Sequence, residues 1–264
     1  MMLKRQKLGE FKLAHELGAD GVEVDMGGLG KRVLFDNQLR EPQQAEKFRA
    51  AARQYGVAVP SMAMSGFFAQ NFLTRDNYQD LLKDCFQTMK LFGSKVAFLP
   101  LGGSGKDWQQ EGCTAYQQMV SRLRTAGEMA KQEGITIGIR TGMDAKFDKK
   151  LLKKVGSSQI KVYYNFQDAA DHHRDICKEL RKLGAQRIVQ IHASNTDSVN
   201  LQEDSEINLP KIRKTLDKMK WSGWLVVERS RDVKRVRDVK YNFGRNIAYL
   251  KQVFQEVTVS GNNW

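Results

Sequence analysis

The chain has 264 residues and a formal net charge of +13, from 43 Lys and Arg against 30 Asp and Glu. Apolar residues make up 41% of it, enough for a substantial core, and no run approaches the roughly 18 apolar residues that a membrane span needs. The basic start, residues 1–7, leads into a helical pattern without an apolar stretch, so no signal peptide is predicted. We therefore expect a cytoplasmic protein without membrane association.

The positive charge is concentrated between residues 211 and 240, which hold eleven Lys or Arg and four acidic residues. These charges alternate with apolar residues at helical spacing, which is typical of a solvated helix face rather than of a base-stacking surface. Nucleic acid is therefore not expected as a partner. Attraction of an anionic small molecule or polymer stays open.

Helical and strand-like patterns alternate along the whole chain. Helices are predicted at about 8–17, 45–55, 82–89, 116–126, 145–155, 176–183, 209–219 and 243–254. Short β-branched and apolar runs between them predict strands at 21–26, 57–64, 95–101, 135–140, 160–165, 187–195 and 224–228. The tail at 260–264 is predicted to be loose.

This alternation predicts an α/β protein, a TIM-type (β/α) barrel that forms a single domain over residues 1–264. Such a barrel has eight strands, whereas seven are evident and the chain opens on a helix. The first strand is therefore predicted to be missing. Either the start is truncated relative to an eight-stranded barrel, or residues 1–7 form an edge.

Four consecutive predicted strands end on polar side chains that can carry chemistry. They are Arg140, Asn165, His192 and Glu228. Because parallel barrels place their active sites at the carboxyl ends of their strands, we expect these four side chains to meet at the mouth of the barrel. Such a set can coordinate a divalent ion or bind a polar ligand.

Other polar and aromatic residues near strand ends allow two interpretations each. Glu23 and Asp25 either face a substrate or cap the loop that follows them. Trp108 either lines a ligand pocket or packs in the core, and the glycine-rich segment 102–105 either cradles a phosphate or is a plain loop. Three widely spaced cysteines without a CxxC pair are expected to be buried or half-buried thiols, and four scattered histidines do not suggest a multinuclear zinc site.

Four segments together make the chain similar to the xylose-isomerase-like barrels, a family of sugar isomerases, ketose and sugar-phosphate epimerases and inosose-type dehydratases. They are LGADGVEV (17–24), KVYYNFQDA (161–169), LGAQRIVQIHA (183–193) and WSGWLVVE (221–228). The resemblance implies a Mn²⁺ or Mg²⁺ ion held by a Glu, an Asp, a His and a Glu on the last four strands. It also implies that the two Glu residues exchange a substrate proton from opposite faces.

This sequence matches two of the four implied metal ligands, His192 and Glu228. The other two positions hold Arg140, which stays cationic and cannot coordinate a metal, and Asn165, a weaker ligand than Asp. We therefore expect no tightly bound cofactor, with His192 and Glu228 as ligands only if a metal is retained. We also expect Arg140 to pair with Glu228, because an unpaired charge in a barrel mouth is costly.

The predicted function is that of a sugar or sugar-phosphate isomerase or epimerase with a degraded metal site. Glu228 would act as the base and Arg140 would polarise a carbonyl. The expected carbohydrate-binding residues are Asn165, His192, Glu23 and Trp108. Whether catalysis survives stays open, and the alternative is an inactive barrel, monomeric or oligomeric, that binds an anionic sugar-type ligand. An abasic-site endonuclease, which shares this barrel, is disfavoured because its histidines and carboxylates are missing.

Overall fold

Seven parallel strands pair in chain order within one sheet. This arrangement is seen in a computed structural model, which describes residues 1–2 and 6–255. The strands are β1 (Val24–Asp25), β2 (Ser61–Ala63), β3 (Val96–Pro100), β4 (Thr136–Arg140), β5 (Ile160–Asn165), β6 (Ile188–His192) and β7 (Leu225–Val226). Each strand lies inside its predicted range, so the seven-stranded α/β barrel is confirmed.

Helices connect successive strands and cover the outside of the sheet. They are α1 (Glu10–Glu16), α2 (Pro42–Tyr55), α3 (Tyr78–Phe92), α4 (Thr114–Gln132), α5 (Ala145–Val155), α6 (Phe166–Ala170), α7 (Ile176–Leu183), α8 (Leu209–Lys218) and α9 (Val239–Phe254). The sequence did not predict α6, because five residues are too few to show a helical period. None of the helices in the described residues is long and apolar enough to cross a membrane. The predicted loose tail lies outside those residues.

The start of the chain occupies part of the gap between the first and last strands. Met2 forms a parallel bridge with Glu23 and donates its backbone N–H to the carbonyl of Val227 at 2.9 Å. The N–H of Glu23 in turn donates to the carbonyl of Met1 at 2.9 Å. Met1 and Met2 therefore link Glu23, directly before β1, to Val227, directly after β7.

The interior of the barrel is partly apolar and partly polar. Inward-facing residues alternate with outward-facing ones along barrel strands. The apolar part is a small cluster of Met2, Ala63, Phe98, Tyr163 and Val226, separate from the large core between sheet and helices. The polar part comprises Glu23, Ser61, Gln190 and His192, which are all buried. Buried polar groups need hydrogen-bond partners, and Glu23 has such partners in Ser61 and His192.

Candidate functional site

The carboxyl ends of the last four strands bring the predicted side chains to one edge of the sheet. Arg140 ends β4, Asn165 ends β5 and His192 ends β6, while Glu228 lies two residues beyond the end of β7. Asn165 stands opposite His192 in the register, and His192 stands opposite Val226. The expected convergence at the barrel mouth is therefore present in the structure.

A register irregularity sets Asn165 beside His192. Val162 pairs with Ile188, but the next residue, Tyr163, pairs with Gln190, so β6 carries one extra residue at this point. Without the shift, the last residue of β5 would stand opposite Ile191 instead of His192. Bulges often aim side chains at active sites, and nothing in the sequence pattern indicates this one.

His192 lies among carboxyl groups and aromatic rings. Its Nε2 lies 2.9 Å from Glu23 Oε1, and its Nδ1 lies 3.8 Å from Glu228 Oε2. The imidazole ring packs against Phe98 and Tyr163, with ring centroids 4.7 Å and 4.3 Å away. The side chain has no exposed surface. His192 therefore stands between two carboxyl groups, one below it in the barrel and one at the mouth.

Glu23 lies beneath His192 and uses both carboxyl oxygens inside the protein. Ser61 Oγ and the Tyr163 hydroxyl donate to Oε2 at 2.6 Å and 2.7 Å, and Oε1 faces His192. Burial opposes ionisation of this carboxyl, but the interaction with His192 and the hydrogen bonds from Ser61 and Tyr163 lower its pKa below the usual value. The structure therefore places Glu23 in the barrel interior, away from a ligand at the mouth.

Arg140 is paired with Asp168, so the prediction that it pairs with Glu228 is wrong. Its Nε and Nη2 donate to the two carboxylate oxygens of Asp168 at 2.9 Å and 2.6 Å. Only 14% and 18% of these side chains are exposed. Burial disfavours the guanidinium cation, but the bonds and charge of Asp168 raise the pKa of Arg140 above its usual value. The sequence missed this partner because Asp168 lies in α6, the helix that was not predicted.

At the carboxyl ends of these strands, three buried polar atoms of the predicted residues have no hydrogen-bond partner within the described part of the chain. They are Asn165 Nδ2, His192 Nδ1 and Glu228 Oε2. The other side-chain atom of Asn165, Oδ1, caps α6 by accepting from the N–H of Gln167 at 2.8 Å. Ser194 Oγ accepts from the N–H of Glu228 at 2.8 Å and so fixes the backbone there. Asn165 and His192 are therefore anchored through their other side-chain atoms, and Glu228 is anchored through its backbone.

The remaining predicted residues lie in less open positions. Trp108 is fully buried, with its ring 5.8 Å from that of Phe147, which is a packing arrangement. Asp25 accepts from Ser65 Oγ at 2.6 Å and from the N–H of Gly27 at 3.2 Å, as a residue that caps the following loop does. Residues 102–104 form a 3₁₀ turn.

Comparison with protein families shows which family the chain belongs to. The family model of the xylose isomerase-like TIM barrel matches residues 11–253. The chain belongs to this family. The resemblance carried by the four sequence segments is thereby confirmed.

Individual xylose isomerase-like relatives are distant. The inosose dehydratase of Mesomycoplasma hyopneumoniae (strain 7448) is 24% identical over 268 residues, covering 82% of this chain and 88% of the relative. A D-psicose 3-epimerase from Clostridium cellulolyticum H10, solved with D-tagatose, has a TM-score of 0.73 and 12% identity over 96% of this chain and 95% of its own. A family member from Mycobacterium smegmatis, solved in complex with magnesium, has a TM-score of 0.68 and 16% identity over 93% and 87%. At these identities the solved structures establish the fold alone.

The residues at the family's metal position do not fit a divalent ion. One of the four side chains is the Arg140 cation, engaged with Asp168, and another is the neutral Asn165. His192 contributes one open nitrogen and Glu228 one open oxygen. Within residues 1–2 and 6–255, no group of three or more His, Cys, Asp or Glu side chains is arranged to hold a metal.

Proposed function

We propose that the mouth of this barrel binds a polyhydroxylated sugar or sugar phosphate, and that Glu228 moves a proton on the bound ligand without a divalent metal. The observation that carries the proposal is the unmet hydrogen bonding of Asn165 Nδ2, His192 Nδ1 and Glu228 Oε2. Leaving a buried polar group without a partner costs about 1–3 kcal/mol. A hydroxyl both donates and accepts, so a ligand with adjacent hydroxyls can satisfy all three atoms.

The chemistry assigned to Glu228 follows from its position. Only 7% of its side chain is exposed, and its Oε2, which has no hydrogen-bond partner within the described residues, lies 3.8 Å from His192 Nδ1. A carboxylate within hydrogen-bond reach of a C–H next to a carbonyl acts as a general base and typically contributes 10²–10⁴-fold in rate. Isomerisation and epimerisation of sugars both begin with such a proton removal.

Arg140 is assigned the role of polarising the ligand's carbonyl. Nε and Nη2 are used by Asp168, whereas Nη1 forms no hydrogen bond within the described part of the chain. The Asp168 carboxylate neutralises the charge of Arg140, so the proposal does not require an anionic ligand. This distinguishes it from the alternative of an inactive barrel that binds an anionic sugar.

The test is proton exchange at the ligand carbon in chelator-treated protein. Ketoses, ketose phosphates and inososes are incubated in D₂O, and ¹H NMR follows loss of the signal from the proton next to the carbonyl. We expect exchange with at least one ligand, and a fall of about 100-fold or more in Glu228→Gln. Glu111→Gln, which removes only an exposed ion pair with Lys150, is the matched control and should leave the rate unchanged.

Binding is measured separately by calorimetry. Asn165→Asp keeps the oxygen that caps α6 but replaces the Nδ2 donor with an acceptor, so we expect roughly tenfold weaker binding or more. Binding without exchange would support the inactive alternative. Neither binding nor exchange across the panel would contradict the proposed function.

A further inference from the structure

The hydrogen bond between Glu23 and His192 has a consequence for which ring nitrogen carries a proton. A carboxylate can only accept hydrogen bonds. Glu23 Oε2 already accepts from two hydroxyls, and Oε1 lies 2.9 Å from His192 Nε2. Nε2 must therefore carry a hydrogen. A neutral imidazole has a single N–H, so the other nitrogen, Nδ1, keeps its lone pair.

Several contacts hold Glu23 in the orientation that this argument needs. Ser61 and Tyr163 lie on different strands, and both donate to the same oxygen, which prevents the carboxylate from exchanging its two oxygens freely. Glu23 itself is fully buried. The imidazole ring is fixed by Phe98 and Tyr163, which pack against it. The chain from Ser61 and Tyr163 through Glu23 to His192 is therefore built into the barrel interior.

We infer that Glu23 is a positioning residue, which keeps His192 in the Nε2–H tautomer so that Nδ1 accepts a hydrogen bond from a ligand hydroxyl. Nδ1 and Glu228 Oε2 are then two acceptors 3.8 Å apart, and Asn165 Nδ2 is a donor beside them. This arrangement selects a ligand with two adjacent hydroxyls that both donate. The tautomer is a property of the free protein, and only the identification of the ligand as a diol rests on the proposed function.

The tautomer is measured directly on the ligand-free protein. Long-range ¹H–¹⁵N correlation of the ¹⁵N-labelled full chain at pH 8 reports the protonation of each imidazole nitrogen, and the spectrum of His192→Gln assigns the His192 signals. We expect Nε2 to be protonated and Nδ1 to be unprotonated. Signals of Nδ1–H, or of a ring with both nitrogens protonated at pH 8, would overturn the inference. This measurement requires no folded variant of Glu23.

Glu23→Gln provides a second test, whose expected result, a change of tautomer, would not follow if Glu23 had a purely structural role. The amide carbonyl of Gln keeps the hydrogen bonds from Ser61 and Tyr163, so its NH₂ faces Nε2 and forces the proton onto Nδ1. We therefore expect the tautomer to invert, with roughly tenfold or greater loss of ligand affinity. Tyr163→Phe, which leaves the Glu23 carboxylate in place, should keep the wild-type tautomer. A folded Glu23→Gln protein that still shows Nε2–H contradicts the inference.

The two proposals fail in different ways. If the protein shows the Nε2–H tautomer but exchanges no ligand proton, the role of Glu23 stands and the proposed function falls. If exchange occurs but the tautomer is Nδ1–H, the proposed function stands and the role of Glu23 falls.

Discussion

Carboxylates introduced at positions 140 and 165 should create a Mn²⁺ site at the ends of the last four strands. The double substitution Arg140→Glu, Asn165→Asp places three carboxylates and His192 at the four strand ends. In the native chain Glu228 is the single carboxylate among them, and the Arg140 cation is paired with Asp168. Hard divalent cations bind carboxylate oxygens more tightly than neutral amides. We therefore expect Mn²⁺ binding by the double variant and not by the native protein.

The size of the effect follows from the burial of the ion pair. Removing one partner of a buried salt bridge costs about 3–5 kcal/mol, and Arg140 and Asp168 are at most 18% exposed. For a domain of this size that corresponds to a loss of about 6–20 °C in Tm. Mn²⁺ at a hundredfold excess over its Kd would stabilise the folded double variant by about 2.7 kcal/mol. The metal-free double variant should therefore melt well below the native protein and recover part of the loss when Mn²⁺ is added.

The assay is calorimetric titration of chelator-treated protein with Mn²⁺, together with thermal melts. Arg140→Gln is the matched control, because it removes the cation without adding a ligand and should be destabilised without any response to Mn²⁺. Native protein that binds Mn²⁺ at micromolar concentration or below would refute the reasoning, and a metal-dependent isomerase should then be assumed. If the double variant neither binds Mn²⁺ nor gains stability from it, the four strand ends do not form one site.

Two further predictions concern stability. The Asp148 carboxyl is buried and close to other carboxyls, and these effects raise its pKa to about 8 although Thr141 donates to it. Between about pH 4 and 8 the folded state therefore holds a proton that the unfolded state has lost, so stability should fall as pH rises, by up to about 1.4 kcal/mol per pH unit. Asp148→Asn should make this dependence shallower in denaturant titrations at pH 5, 6.5 and 8, although burial also raises the pKa of Glu10 to about 8 and so leaves part of it. A profile parallel to that of the native protein would contradict the assignment. Gly138→Ala should lower the free energy of unfolding by about 1–3 kcal/mol, because the added Cβ would lie 2.8 Å from Val189 and 2.9 Å from Tyr163. Gly9→Ala is the control, since nothing lies near its added Cβ, and it should melt within about 2 °C of the native protein.

The fold could be predicted from the sequence because each helix and strand is indicated by residues that are close together in the chain. Each strand is a short β-branched or apolar run between a helix and a turn, and such runs alternate with helical periods along the chain. The ends of two helices are marked in the same local way, because Gly56 and Gly93 follow α2 and α3 with positive φ, a conformation that costs glycine little. The residues at the strand ends were found for the same reason, since their position depends only on where each run stops.

The partners of those residues could not be read from the sequence, because they come from distant positions. Tyr163 and Ser61 reach Glu23 across 140 and 38 residues, and hydrogen bonds across the interior of a barrel leave no periodic trace. One signal was available for Tyr163. It precedes Asn165 by two residues on the same strand, and alternate strand residues share a face. Tyr163 was therefore expected on the same face of the sheet as Asn165.

The ion pair and the proposed loss of the metal are two parts of one change at the barrel mouth. A guanidinium placed where the family resemblance implies a carboxylate would repel a divalent ion, and it would also be a buried charge without compensation. Asp168 supplies that compensation with two short hydrogen bonds, from a helix that begins directly after Asn165. Glu228 is thereby left without the cation that was expected to neutralise it, and its open oxygen faces His192 Nδ1 instead. On this reasoning the pairing of Arg140 with Asp168 is what leaves Glu228 available as a base.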